Sequence, residues 1–235
     1  ITGCRRICFF GSEGFEKVTA LADNVRKISD ISDADPGDIL ILGAHLDCSF
    51  NDIADMLDRF TAGGGILIIL EQSVMTPGNL CLTNQDFFSA HAGDPAHPLL
   101  NELNDGDMIF WGPHVTEDRP QPIIHRNYLK PQSGEYNFVL ESAAGDYADG
   151  GDLWSPLMTA KHGKGTVVLC QLEINENYES VPQACVLLRN ILRFAQNTAC
   201  STYVPVGAIG KKAEKFLSAT NAVFGLCNEN YSDFG

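Results

Sequence analysis

The sequence is short of positive charge: 16 Lys and Arg stand against 30 Asp and Glu, a formal net charge of -14. A phosphate backbone is held by clustered Lys and Arg, so the balance speaks against nucleic acid as a partner. It speaks equally against an anionic membrane surface. No apolar run approaches the ~20 residues of a membrane-spanning helix, so membrane insertion is not expected. The eight cysteines, Cys4, Cys8, Cys48, Cys81, Cys170, Cys185, Cys200 and Cys227, include no C-x-x-C pair and no Cys/His cluster at zinc spacing. The turn Gly11-Ser12-Glu13-Gly14 lacks the spacing of dinucleotide and phosphate loops, and Glu13 would repel phosphate. No metal and no cofactor is therefore expected. The acidity reads as solubility, with a cation site as the sharper alternative. The opening ITGCRRICFF carries no secretory-signal pattern and no initiator Met, and reads as a processed chain or a cut piece.

What is present is an alternation of strands and helices. Ile7–Phe10 is a short apolar run, then a Gly-punctuated turn, then Val18, Leu21, Ala22 and Val25 at helical spacing. Ile28 and Ile31 mark a second short strand. Asp38–Gly43 and Ile66–Leu70 are continuous apolar runs of the kind buried on both faces of a parallel sheet. Between them lies a helix opened by Ser49 and Asp52 in the manner of a capping box, with Ile53, Met56, Leu57 and Phe60 on one face. Gly63-Gly64-Gly65 stops it. The stretch from about 73 to 150 is less regular. In it Asp107–Trp111 and Tyr136–Glu141 read as strands and His97–Leu100 as a helical turn. A hairpin is expected from Pro156–Ala160 and Gly165–Leu172. A long helix follows, with a Ser180/Gln183 capping box, Pro182 in its first turn, and Ala184, Leu187, Leu188, Ile191, Leu192 and Ala195 as its apolar face.

After Ala199 the pattern strand (Val204–Ile209), helix (Lys212–Ala219), strand (Ala222–Leu226) echoes residues 7–31. The expected organisation is one α/β domain over 1–199. Residues 200–235 form an extension that either starts a second similar domain or completes the first.

In open α/β sheets ligands bind at the carboxyl ends of the strands. The polar residues at that edge are the candidate site: His45 and Asp47 after the Asp38–Gly43 strand, Glu71 and Gln72 after Ile66–Leu70, Gln171 and Glu173 at the end of Gly165–Leu172. His45-x-Asp47 offers two metal ligands without a third at fixed spacing. A cysteine nucleophile needs a lowered pKa, a His partner and an exposed elbow. The elbow position offers only Glu71-Gln72-Ser73, with no G-x-[CS]-x-G, so no residue is assigned a catalytic role.

Several segments together carry a resemblance: GDILILGAHL, AGGGILIILEQ, HPLLNELNDGDMIFW, and SPLMTAKHGKGTVVLCQLEINENYESVPQACVLLRNILRFA. They resemble the class I glutamine-amidotransferase-like domains attached to bacterial glycoside hydrolases, relatives of the beta-galactosidase trimerisation domain, over residues 5–196. The resemblance implies a three-layer, flavodoxin-like, mostly parallel α/β sheet. Catalytic members of that superfamily place a Cys at the elbow and a His-x-Glu after a late strand. Here Glu71-Gln72-Ser73 and Gln171-x-Glu173 stand there, so nucleophile and His are both missing and only Glu173 matches. The implied role is a non-catalytic accessory domain. Its partners would be neighbouring domains of a carbohydrate-active parent, a second subunit, or a carbohydrate. The alternatives are a small-ligand or sugar-binding module at the carboxyl edge and a hydrolase with a metal or another nucleophile.

Overall fold

In the computed structural model, residues 1, 3–74, 80–111, 121–132, 134–146, 150–198, 206–208, 211–212, 215 and 224–226 are described. The chain divides into two compact units, Ile1–Cys200 and Ser201–Gly235. In the first, the elements in chain order are β1 (Ile7–Phe10), α1 (Phe15–Leu21), β2 (Val25–Ile28), β3 (Ile39–Leu42), α2 (Phe50–Ala62), β4 (Ile66–Ile69), β5 (His91–Ala92), β6 (Tyr128–Leu129), β7 (Tyr136–Asp146), β8 (Gly150–His162), β9 (Gly165–Cys170), α3 (Ile174–Asn177) and α4 (Pro182–Asn197). Among the described residues no helix is long and apolar enough to cross a membrane.

One sheet runs β2-β1-β3-β4-β9-β8-β7-β5, with β6 paired to β8. The first five strands are parallel, in the doubly wound order 2-1-3-4-5 with β9 as fifth strand. From β9 onward every pairing is antiparallel. The sheet is therefore mixed, which corrects the expectation of a mostly parallel one. The physical reason lies in the connections. Parallel neighbours need a crossover of a dozen or more residues, whereas β8 and β9 are joined by a tight Gly163-Lys164 turn that can only make a hairpin.

The parallel strands bury both faces because helices cover both. Ile7, Phe9, Ile39, Ile41, Ile66 and Ile68 cluster with Val18 of α1 and with Ala184, Leu187, Leu188, Ile191, Leu192 and Ala195 of α4. The alternate positions, Cys8, Leu40, Leu42, Leu67 and Ile69, cluster with Ile53, Leu57 and Phe60 of α2. Period-two alternation thus divides one apolar run between two cores.

Several local expectations are overturned. Val25 begins β2 instead of closing α1, since the chain leaves the helix at Ala22 in extended conformation. Asp107–Trp111 is not a strand. Asp105–Met108 is a 3-10 turn closed by reciprocal bonds between Asn104 and Asp107, and only Ile109 makes a single bridge, to Ser89. Ser180 does not cap α4. Val181 holds the cap position with Pro182 next, Ser180 Oγ donates to the Asn177 carbonyl, and Gln183 donates to Asp107 Oδ1. Ser49 does cap α2, accepting from Asn51 N at 3.3 Å, so the bond closes one residue short of Asp52.

In the second unit β10 (Val206–Ala208) and β11 (Phe224–Leu226) pair in parallel. Val206 faces Phe224 as Ile7 faces Val25, the same separation in both units, and Lys211, Lys212 and Lys215 are helical. The remainder of the strand–helix–strand pattern expected there lies outside the described residues.

Candidate functional site

The carboxyl ends of β3, β4 and β9 lie side by side in the sheet, so the residues that follow them meet. β3 and β4 run in register from Ile39↔Ile66 to Leu42↔Ile69, and β4 and β9 from Ile66↔Thr166 to Ile69↔Leu169. The chain leaving β3 passes through Gly43, where an added Cβ would sit 2.6 Å from the Glu13 carbonyl oxygen, so only glycine lets the two backbones approach. His45 follows with φ 49, a left-handed conformation uncommon for a residue with a side chain. Its N–H donates to the Glu71 carbonyl at 2.8 Å. The β3 exit is thereby tied to the β4 exit.

Much of the polar crest is bonded into the fold. Gln72 donates through Nε2 to the carbonyls of Gly43 (2.8 Å) and Leu70 (2.9 Å) and accepts from Leu46 N (3.0 Å). Its own N–H donates to Gln171 Oε1 at 2.6 Å. Gln171 thereby joins β9 to β4. Glu71 is 1% exposed, and its Oε1 accepts from Asn175 N at 2.5 Å. Its other oxygen is buried with no partner. Burial is the dominant influence and pushes the Glu71 carboxyl up to about 8, against the opposing Asn175 hydrogen bond. Near neutral pH it is mostly protonated.

Glu173, at 3% exposure, is the second buried carboxyl. It accepts weakly from His125 N at 3.4 Å, and its Oε2 has no partner. Burial raises its pKa, with the nearby His125 and His45 pulling the other way. His125 in turn pairs with Asp86 at 2.8 Å. Burial works against charge on His125, but the Asp86 bond and the charges of Glu173 and Glu176 outweigh it and raise its pKa.

Two contacts at the crest were not anticipated. Ser73 Oγ lies 2.7 Å from His45 Nδ1. No spacing in the sequence pairs an imidazole with a hydroxyl here. The left-handed turn at His45 places one there, from the neighbouring strand instead of the late one. The ring of His45 and the carboxylates of Glu173 and Glu176 also form a group whose donor atoms all lie within 4.8 Å of one another. Of the six nominated residues, His45, Glu71, Gln72, Gln171 and Glu173 are thus brought together. Asp47 is exposed and takes no part in these bonds; its charge is felt by Cys48. Ser73, His125, Asp86 and Glu176 carry no pattern that marks them as site residues. Only the strand order that assembles them could have found them.

Among the described residues no thiol takes part in the bonds of this crest. Cys8 and Cys170 are buried in strands, and burial raises both thiols, the reverse of what a nucleophile needs. A cleft of about 550 Å³ opens away from the crest, between α2 and β8, with Phe50, Leu57, Leu80 and Tyr136 among its walls.

No family model and no curated protein matches the sequence. Among solved structures, cytoplasmic protein STM3548 from Salmonella typhimurium matches 80% of this chain and 98% of its own at 11% identity, with a TM-score of 0.51. A protein described as thua-like from Bacteroides uniformis matches 80% of this chain and 89% of its own at 11% identity, with a TM-score of 0.48, too distant to build on. At such identity the first match speaks to fold alone. It agrees with an α/β fold and lends no support to attachment to a glycoside hydrolase or to kinship with beta-galactosidase.

Proposed function

We propose that this chain is a non-catalytic accessory domain, of the glutamine-amidotransferase-like kind, within a larger carbohydrate-active protein. The reading is supported foremost by the state of the elbow after β4. Glu71 and Gln72 are buried and hydrogen-bonded where a nucleophile would stand, and the neighbouring Cys170 thiol is raised by burial, the reverse of activation. The resemblance of the four segments to domains attached to glycoside hydrolases supplies the parent. On this reading residues 200–235 repeat the opening of the first unit, supported by the shared separation of their parallel pairs.

The purified chain should release no ammonia from glutamine and hydrolyse no p-nitrophenyl ester. Turnover of either would replace this reading. Saturable calorimetric binding of a simple sugar, lost in Glu173→Gln, would move it to a sugar-binding module at the carboxyl edge.

One observation favours a second reading, a serine hydrolase. Ser73, His45 and Glu173 follow one another as hydroxyl, imidazole and carboxylate, the order of nucleophile, base and orienting acid. A fluorophosphonate probe separates the two readings. Labelling that is lost in Ser73→Ala establishes the nucleophile, and absence of labelling leaves the crest inert.

A further inference from the structure

We infer that His45, Glu173 and Glu176 form a binding site for one divalent cation of the transition series. Three observations carry this together. The first is geometric: the three donor atoms lie within 4.8 Å of one another, although they come from the β3 exit and from both sides of the α3 start. Metal–ligand bonds of about 2.0–2.2 Å put neighbouring donors roughly 3–3.5 Å apart. Loading therefore needs a contraction of at most about 1–2 Å, and exposed Glu176 can supply it by a rotamer change.

The second is an orphaned charge carrier. Glu173 is 3% exposed, yet its Oε2 has no hydrogen-bond partner. An unpaired buried carboxylate oxygen costs free energy that a cation would offset. The third is the orientation of the imidazole. With Nδ1 held by Ser73 at 2.7 Å, Nε2 is the ring nitrogen left to ligate. A ligating His commonly donates its other ring N–H to a fixed partner, which sets its tautomer. Ser73 would be that partner, and the left-handed backbone at His45 is what delivers the ring.

The donor set of one imidazole and two carboxylates suits Mn²⁺, Fe²⁺, Co²⁺ or Zn²⁺ better than Ca²⁺ or Mg²⁺, which take oxygen alone. Three protein ligands leave positions open for water or for the oxygens of a ligand. The site stands whether or not the domain is catalytic. A bound cation would give Ser73 a positioning role in place of a nucleophilic one.

Chelator-stripped whole chain titrated calorimetrically with ZnCl₂, and separately with MnCl₂, tests this. One equivalent should bind. Glu176→Gln, on an exposed residue, should weaken binding at least tenfold with the melting temperature in EDTA unchanged. His45→Asn, which tolerates the left-handed backbone, should do the same. Ser73→Ala should cost about 10- to 100-fold, the range of an orienting partner. The exposed pair His162 and Asp58 serves as control, because it too offers an imidazole and a carboxylate, 2.6 Å apart. No binding by the unaltered chain, or equal loss in Asp58→Asn and Glu176→Gln, would overturn the proposal.

Discussion

The parallel and antiparallel halves of the sheet bury their strands by different means. β3 and β4 are four residues each, and every residue is buried. Helices cover both faces, so each position must be apolar, and the run announces itself without alternation. β7 and β8 are 11 and 13 residues and pair directly with each other. Their register shifts at Phe138/Leu140 and again at Leu140/Ser142. Bulges of this kind break the period-two pattern, and Leu153 of β8 is left 55% exposed. The central parallel strands are thus held by side-chain burial at nearly every position. In the antiparallel half Trp154–Thr159 of β8 are buried as well, but Asp152 and Leu153 beside them are exposed.

Ile41→Ala probes that contrast most strongly. Ile41 is wholly buried at the centre of β3, and its truncation should cost about 3–4 kcal/mol by urea denaturation. Leu153→Ala should change stability by less than about 0.5 kcal/mol. Comparable losses in the two variants would erase the distinction between the halves.

Next in size is Gly43→Ala, at the exit of the same strand. The new methyl would meet the Glu13 carbonyl oxygen at 2.6 Å and the Phe9 ring at 2.9 Å, backbone and packed core that cannot easily yield. A loss of about 2–3 kcal/mol is expected from overpacking. Urea midpoints read it, and a neutral result would mean the turn before His45 is looser than the close approach requires.

The crest of the parallel half should also carry a pH signature. The Glu71 carboxyl is raised in the fold from 4.5 to about 8, chiefly by burial. The folded state therefore holds this proton more tightly than the unfolded chain. Its contribution is complete below about pH 4.5 and is lost as pH rises through about 8. Glu71→Gln keeps an oxygen for Asn175 N and removes the titration. Relative to the native chain it should gain on the order of 2 kcal/mol between pH 5 and pH 7. Parallel pH profiles for the two proteins would show that Glu71 ionises freely and that the crest is wetter than its burial implies.

The same contrast governs what could be read from sequence. β1, β3, β4 and the apolar face of α4 were legible because burial on one or both faces is written in consecutive residues. Asp107–Trp111 looked like a strand because Met108, Ile109, Phe110 and Trp111 run together. The Asn104–Asp107 capping bonds override that run. The antiparallel half was legible as a hairpin but not as a switch in the sense of the sheet, which depends on where β9 docks. At the crest, the carboxyl-edge rule nominated residues that do converge, because strand order alone brings them together. The Ser73–His45 contact was not legible. It depends on a single left-handed residue and on the alignment of two strand ends, neither of which local composition records. His125 reaches the crest from an irregular segment for the same reason, while Glu176 sits on α3 three residues past Glu173, where no spacing rule singled it out.

The smallest effect expected separates a cap that works from one that only looks as if it should. Ser49 and Ser180 both precede helices, and each has a residue suited to a capping box three positions on. Ser49 Oγ accepts from Asn51 N at the start of α2, so Ser49→Ala should cost about 1 kcal/mol. Ser180 is displaced by one residue, because Pro182 takes the first helical position and needs no N–H satisfied. Its hydroxyl turns back to the Asn177 carbonyl instead, at 3.4 Å on the surface. Ser180→Ala should therefore change stability by less than about 0.5 kcal/mol. Equal losses at the two serines, measured on the same denaturation curve, would place the start of α4 one residue earlier and restore the box that proline takes away.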